Sequence, residues 1–138
     1  MDLHLKGLNA LVTGGTKGIG RAIAQTLAAE GANVAFCARS PDGVQAAVPE
    51  LARHGGKVLG EAVDVGDGPG LKAWVAGAAA ALGGIDIVVA NVSALAIAND
   101  EAGWQRGFEV DMMGTVRLGN FVDPKYTVGA GIEKKYLV

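Results

Sequence analysis

The sequence predicts an α/β fold, a doubly wound parallel sheet of about four to five strands with helices on both faces. Three observations predict it. Four short apolar stretches begin near residues 8, 32, 57 and 85, each gap between them holds one helical stretch, and a glycine cluster lies directly behind the first. The strand–helix unit therefore repeats about every 25 residues, a length that suits parallel strands joined by right-handed crossovers. The 138 residues are enough for one domain that buries roughly two-thirds of its unfolded surface.

Leu8, Ala10, Leu11 and Val12 form a run short enough for a buried strand, and Ile19, Ala22, Ile23, Thr26 and Leu27 follow at helical spacing. Between them Gly14, Gly18 and Gly20 permit a tight turn that also carries Thr16 and Lys17. A helix starting inside such a turn points its free N–H groups and positive dipole end into the loop, as a pyrophosphate requires. The spacing, Gly14-x-x-x-Gly18-x-Gly20, differs from the dinucleotide fingerprint Gly-x-Gly-x-x-Gly. It is not a triphosphate P-loop either, because Lys17 precedes its glycine and Ile19 follows it. On its own the cluster also fits a plain glycine turn between any strand and helix.

The ungapped run Thr13-Gly-Gly-Thr-Lys-Gly-Ile-Gly20 resembles the cofactor loop of the short-chain dehydrogenase/reductase family, Thr-Gly-x-x-x-Gly-x-Gly. The resemblance implies a Rossmann-type sheet and an oxidoreductase that moves a hydride between a nicotinamide dinucleotide and a small carbonyl or alcohol substrate. It assigns Gly14, Thr16, Lys17, Gly18, Ile19 and Gly20 to the cofactor.

Gly31 closes the first helix, and Ala32 to Cys37 reads as the second strand. Where such folds place an Asp or Glu for the adenosine ribose, this chain has Ala38, Arg39 and Ser40. A guanidinium pairs well with a 2′-phosphate and Lys17 adds a second positive charge, so NADP(H) is favoured over NAD(H). The second helix, from about Asp42 to His54, buries Val44, Ala47, Val48 and Leu51, and Pro49 is expected to kink or split it.

Lys57 to Ala62 is the third strand. Asp64-Val65 follows, and the resemblance implies contact with the adenine ring, whereas alone Asp64 is a turn residue before Gly66-Asp67-Gly68-Pro69. Leu71, Trp74, Val75, Ala78, Ala79 and Leu82 then fall on one helix face, which makes Trp74 a core residue. Ile85 to Ala90 is the fourth and most apolar strand. Of the family's Asn-Asn-Ala-Gly, Asn91 matches, with Ser93 in place of the glycine. A polar amide at the carboxyl end of a buried strand sits where open α/β sheets bind ligands.

Trp104 to Leu118 reads as a further helix with Trp104, Phe108, Met112, Thr115 and Val116 on one side. It resembles the family's interface helix, and Asp111 stands at the place of an Asn that serves a proton relay there. An ionised Asp cannot donate as an amide does. From about Gly119 the resemblance stops. The family's catalytic Ser and Tyr-x-x-x-Lys have no match: Tyr126 is followed four residues on by Ala130, Tyr136 is two residues from the last, and no serine follows Ser93.

The expected organisation is a dinucleotide-binding unit over 1–120, lacking the family's C-terminal half, and a tail over 121–138. Tyr126, Val128, Ala130 and Ile132 alternate there as in one more strand, pairing beside the fourth or covering a partner's edge. Two functions are expected: an oxidoreductase by family with little turnover from these residues alone, or a non-catalytic dinucleotide-binding module or self-associating scaffold. Half the residues are hydrophobic, 19% are charged and the net charge is −2, which gives no basic footprint for nucleic acid. No apolar run approaches a membrane span and no export core opens the chain, so a cytoplasmic, self-associating protein is expected. Cys37 lies alone in an apolar run as a buried side chain does, and His4 and His54 are too far apart in sequence to suggest a metal.

Overall fold

The computed structural model describes residues 1–95 and 98–122. Strands β1 (Asn9–Thr13), β2 (Asn33–Ala38), β3 (Val58–Ala62) and β4 (Ile87–Val89) form one parallel sheet in the order β3-β2-β1-β4. Helices α1 (Gly18–Ala29), α2 (Pro41–Ala52) and α3 (Gly68–Leu82) make the crossovers. Beyond β4 come α4 (Glu101–Gly107), a π-helical turn (Phe108–Met113) and α5 (Gly114–Val122).

The period of two in each strand sorts its side chains onto two cores. Ala10, Val12, Val34, Phe36, Ile87 and Val89 pack with α1 and α2, through Ala24, Ala28, Val44, Ala47 and Leu51. Leu11, Ala35, Cys37 and Val88 face the other way, onto Leu71, Trp74, Val75 and Ala78 of α3 and Leu118 of α5. A sheet covered on both faces needs strands apolar throughout, which is why β1, β2 and β4 read as continuous runs.

Trp74 is buried, as its helical spacing requires. So is Cys37, whose thiol is pushed up to about 12 by burial, with Glu61 pushing the same way and the Gly14 backbone N–H pulling partly back. The thiolate is the reactive form, so at pH 8 a thiol reagent is expected to leave Cys37 unmodified in the native chain and to titrate one thiol after denaturation. Prompt modification without denaturant would contradict the packing.

One expectation narrows and one changes. Of the expected kink or split at Pro49, the split does not occur: α2 runs through it to Ala52. Pro49 forfeits one hydrogen bond of the helix, and Val44, Ala47 and Leu51 fasten the helix to the sheet on both sides of it. Residues 104–118 are helical as expected, within a run from Glu101 to Val122 that contains a π-helical turn over Phe108–Met113. Their expected apolar side faces outward among the described residues: Trp104 is 71% exposed, Met112 59%, and Phe108 and Val116 49% each. The side that packs carries Val110, Gly114, Leu118 and Phe121. The expected strand at 126–132 lies outside the described residues.

Candidate functional site

The strand order places β2 and β3 on one side of β1 and β4 on the other. The switch point is therefore the gap between β1 and β4, and open α/β sheets bind ligands in the crevice at the carboxyl ends of the strands there. The glycine turn leaves β1 at this crevice and Asn91 leaves β4.

Gly14 has φ +70° and Gly18 φ +52°, left-handed conformations that side chains disfavour. Gly15 is glycine for a different reason: a Cβ there would stand 2.7 Å from Cβ of Phe36. At Gly20 a Cβ would collide with both Asn91 Nδ2 and the Gly14 carbonyl oxygen. The helix start is thus pressed against the turn and against the end of β4. Its first intrahelical bond to a turn carbonyl runs from Arg21 N to Lys17 O at 3.1 Å, so the N–H groups of Gly18, Ile19 and Gly20 lie ahead of that bond. The Lys17 side chain caps nothing, and Lys17, Gly18 and Ile19 are exposed. An open helix N-terminus of this shape can receive an anion.

Asn91 and Thr13 join the two strand ends. Asn91 N–H donates to Thr13 Oγ1 (3.0 Å), and Thr13 Oγ1 donates to the Val89 carbonyl (3.3 Å). Asn91 Nδ2 donates to the carbonyls of Thr13 (3.3 Å) and Gly14 (3.5 Å). The amide identified in the sequence thus props the glycine turn. Thr13, which is buried, carries a part that sequence reasoning did not assign to it, although it heads the quoted motif.

Arg39 and Ser40 lie beyond the end of β2, both exposed. Ser40 is the N-cap of α2, its Oγ accepting from Gly43 N at 3.2 Å. A Cβ on Gly43 would lie 3.7 Å from Cβ of Thr16, so the glycine turn and the head of α2 adjoin. Neither Lys17 nor Arg39 joins an ion pair among the described residues. Asp64 is exposed with Oδ1 accepting from Gly66 N (2.9 Å), and Val65 is buried against Gly114 of α5. Asp111 binds the loop after β4: Oδ1 accepts from Ala94 N (2.7 Å) and Oδ2 from Ser93 Oγ (3.3 Å).

Among the described residues no group of His, Cys, Asp and Glu is arranged to hold a metal ion, and no helix is long and apolar enough to cross a membrane.

Residues 8–130 match the sequence model of the family described as short chain dehydrogenase. An isoepoxydon dehydrogenase of Penicillium expansum is 34% identical over 125 residues, covering 87% of this chain and 48% of that protein. The crystal structure of L-sorbose reductase from Gluconobacter frateurii, complexed with NADPH and L-sorbose, is similar with TM-score 0.81 and 37% identity, over 90% of this chain and 49% of that one. A metagenomic short-chain oxidoreductase in complex with NADP superposes with TM-score 0.79 at 30% identity, over 87% and 57% of the two chains. The chain thus spans about half the length of the isoepoxydon dehydrogenase it matches. With the glycine turn, the parallel order and a match over most of its length, this chain belongs to the short-chain dehydrogenase/reductase family.

Proposed function

We propose that this chain binds NADP(H) in the crevice between β1 and β4, as the cofactor-binding unit of an oxidoreductase acting on a small carbonyl or alcohol. The observation that carries the proposal is the junction of Gly14, Gly20 and Asn91, closed so tightly that a side chain on Gly20 would fill it, with the α1 N-terminus open beside it. When bound, the nicotinamide would give or accept the hydride. The N–H groups of Gly18, Ile19 and Gly20 would hold the pyrophosphate, while Asn91 keeps the turn in shape. Asp64 and Val65 would border the adenine.

Preference for NADP(H) over NAD(H) belongs to this reading. Arg39 stands exposed behind β2 with no ion-pair partner among the described residues, and Thr16 brings the turn carrying Lys17 to the head of α2. Two cations on adjoining segments, Lys17 heading α1 and Arg39 just before α2, suit a 2′-phosphate. The structure complexed with NADPH and the one in complex with NADP are consistent with this preference.

Turnover by these 138 residues alone is expected to be negligible, since the family's Ser and Tyr-x-x-x-Lys have no counterpart here and Asp111 is engaged with the loop after β4. That same lack favours a second reading, a dinucleotide-binding module without catalysis. The exposed apolar residues Trp104, Phe108, Met112 and Val116 support self-association.

A fluorescence titration of the purified chain with NADPH and then NADH tests the proposal. Saturable binding that favours NADPH is expected, with no carbonyl reduction, and elution above the monomer mass in size-exclusion chromatography. Absence of binding to either dinucleotide would refute it. Carbonyl reduction by the pure chain would overturn the inactivity and the second reading.

A further inference from the structure

Two positions at which this chain departs from the family pattern touch each other. Ser93 stands where the pattern has glycine, and Asp111 where it has asparagine. Ser93 Oγ donates to Asp111 Oδ2 (3.3 Å) while accepting from Leu95 N (3.1 Å), and Ala94 N donates to Asp111 Oδ1 (2.7 Å). Leu95 has φ +48°, a conformation that a branched side chain adopts only when something holds it.

We propose that Ser93 and Asp111 are a coupled positioning pair, in which one carboxylate fixes the backbone leaving β4 and so holds Asn91 against the glycine turn. The chemistry is specific to a carboxylate. Both groups presented to residue 111 are donors, an amide N–H and a hydroxyl whose oxygen is already engaged with Leu95, and an Asp offers two acceptor oxygens where an Asn offers one. The π-helical turn is the part of the helix that carries Asp111, and such turns are often found at functional sites. Through Ala94 and Ser93 the fastening reaches Asn91, two residues back, whose N–H and side chain both bond to Thr13. The pair thus links the helices after β4 to the turn after β1. It acts on the proposed cofactor crevice, but its geometry belongs to the chain without ligand.

Hydrogen–deuterium exchange of the purified chain, without dinucleotide, tests the pair independently of whether the crevice binds a cofactor. In D111A the Ala94 amide is expected to exchange about tenfold faster or more, the size of a lost bond to a charged acceptor, with Leu95 and Asn91 accelerating alongside it. D111N, which keeps one acceptor, is expected to fall between D111A and the native chain. In an S93A background D111A is expected to accelerate Ala94 but to add nothing at Leu95. The amides of Ala35 and Phe36 in β2 serve as the reference. Acceleration confined to Ala94, additive effects at Leu95, or uniform acceleration that includes β2 would each overturn the proposal.

Discussion

Replacing Gly20 by alanine is expected to abolish dinucleotide binding while leaving a weakened fold. An alanine inside an exposed stretch of helix gains up to about 1 kcal/mol over glycine, so helix propensity alone predicts a more stable chain. Packing reverses the sign. The new methyl group would enter the space of the Gly14 carbonyl and Asn91 Nδ2, which are bonded to each other and fixed by Thr13. Backbone cannot swing aside as the tip of a side chain does, and overpacking of this kind costs about 1–3 kcal/mol. A Tm lowered by roughly 5–10 °C is expected, together with loss of the fluorescence response to NADPH. Gly77 of α3 supplies the control, because a Cβ there meets nothing within 4 Å. G77A should be neutral or stabilising by up to about 1 kcal/mol. If G20A melts no lower than G77A, the close approach of α1 to Asn91 is wrong.

Replacing Arg39 by aspartate is expected to weaken NADPH binding about a hundredfold, the scale of a charge-assisted pair turned into a like-charge contact. NADH, with no 2′-phosphate, is expected to change less than about threefold. Arg39 is exposed and makes no ion pair among the described residues, so the substitution breaks nothing in the fold and the loss reads on the ligand alone. Raising salt should narrow the native chain's preference, since an exposed pair is screened. Equal losses for the two dinucleotides would remove Arg39 from the site and leave it a solvated surface residue.

The sheet was legible because its cause is local. Alternation within β1, β2 and β4 sends Leu11, Ala35 and Val88 to one core and Val12, Phe36 and Val89 to the other, and each strand declares this in its own few residues. The glycine turn was legible for the same reason, as left-handed φ values at Gly14 and Gly18 ask for glycine whatever surrounds them. What escaped the sequence depends on partners far along the chain. Gly15 is glycine because of Phe36, and Thr13 matters because of Asn91, 78 residues away. The helix after residue 100 misled for another reason. Trp104, Phe108, Met112 and Val116 recur every four residues like a buried stripe, but so do Val110, Gly114 and Leu118, and it is this second set that packs on the sheet and α3. Pro49 left open whether α2 would split, because that depends on what pins the flanking turns, here Val44 and Ala47 before it and Leu51 after it.

The strand order also ranks the steps by which the chain finds its shape. Asn9 meets Asn33, 24 residues on, when β1 pairs with β2, but meets Asp86, 77 residues on, only when β4 arrives. Closing the longer loop costs about 1 kcal/mol more in chain entropy than closing the shorter. A chain leaving the ribosome has β1 and β2 in hand long before β4 exists. The mouth of the crevice is built from the two strands with the greatest separation among all paired neighbours in the sheet, so it is the part of the molecule whose assembly waits longest.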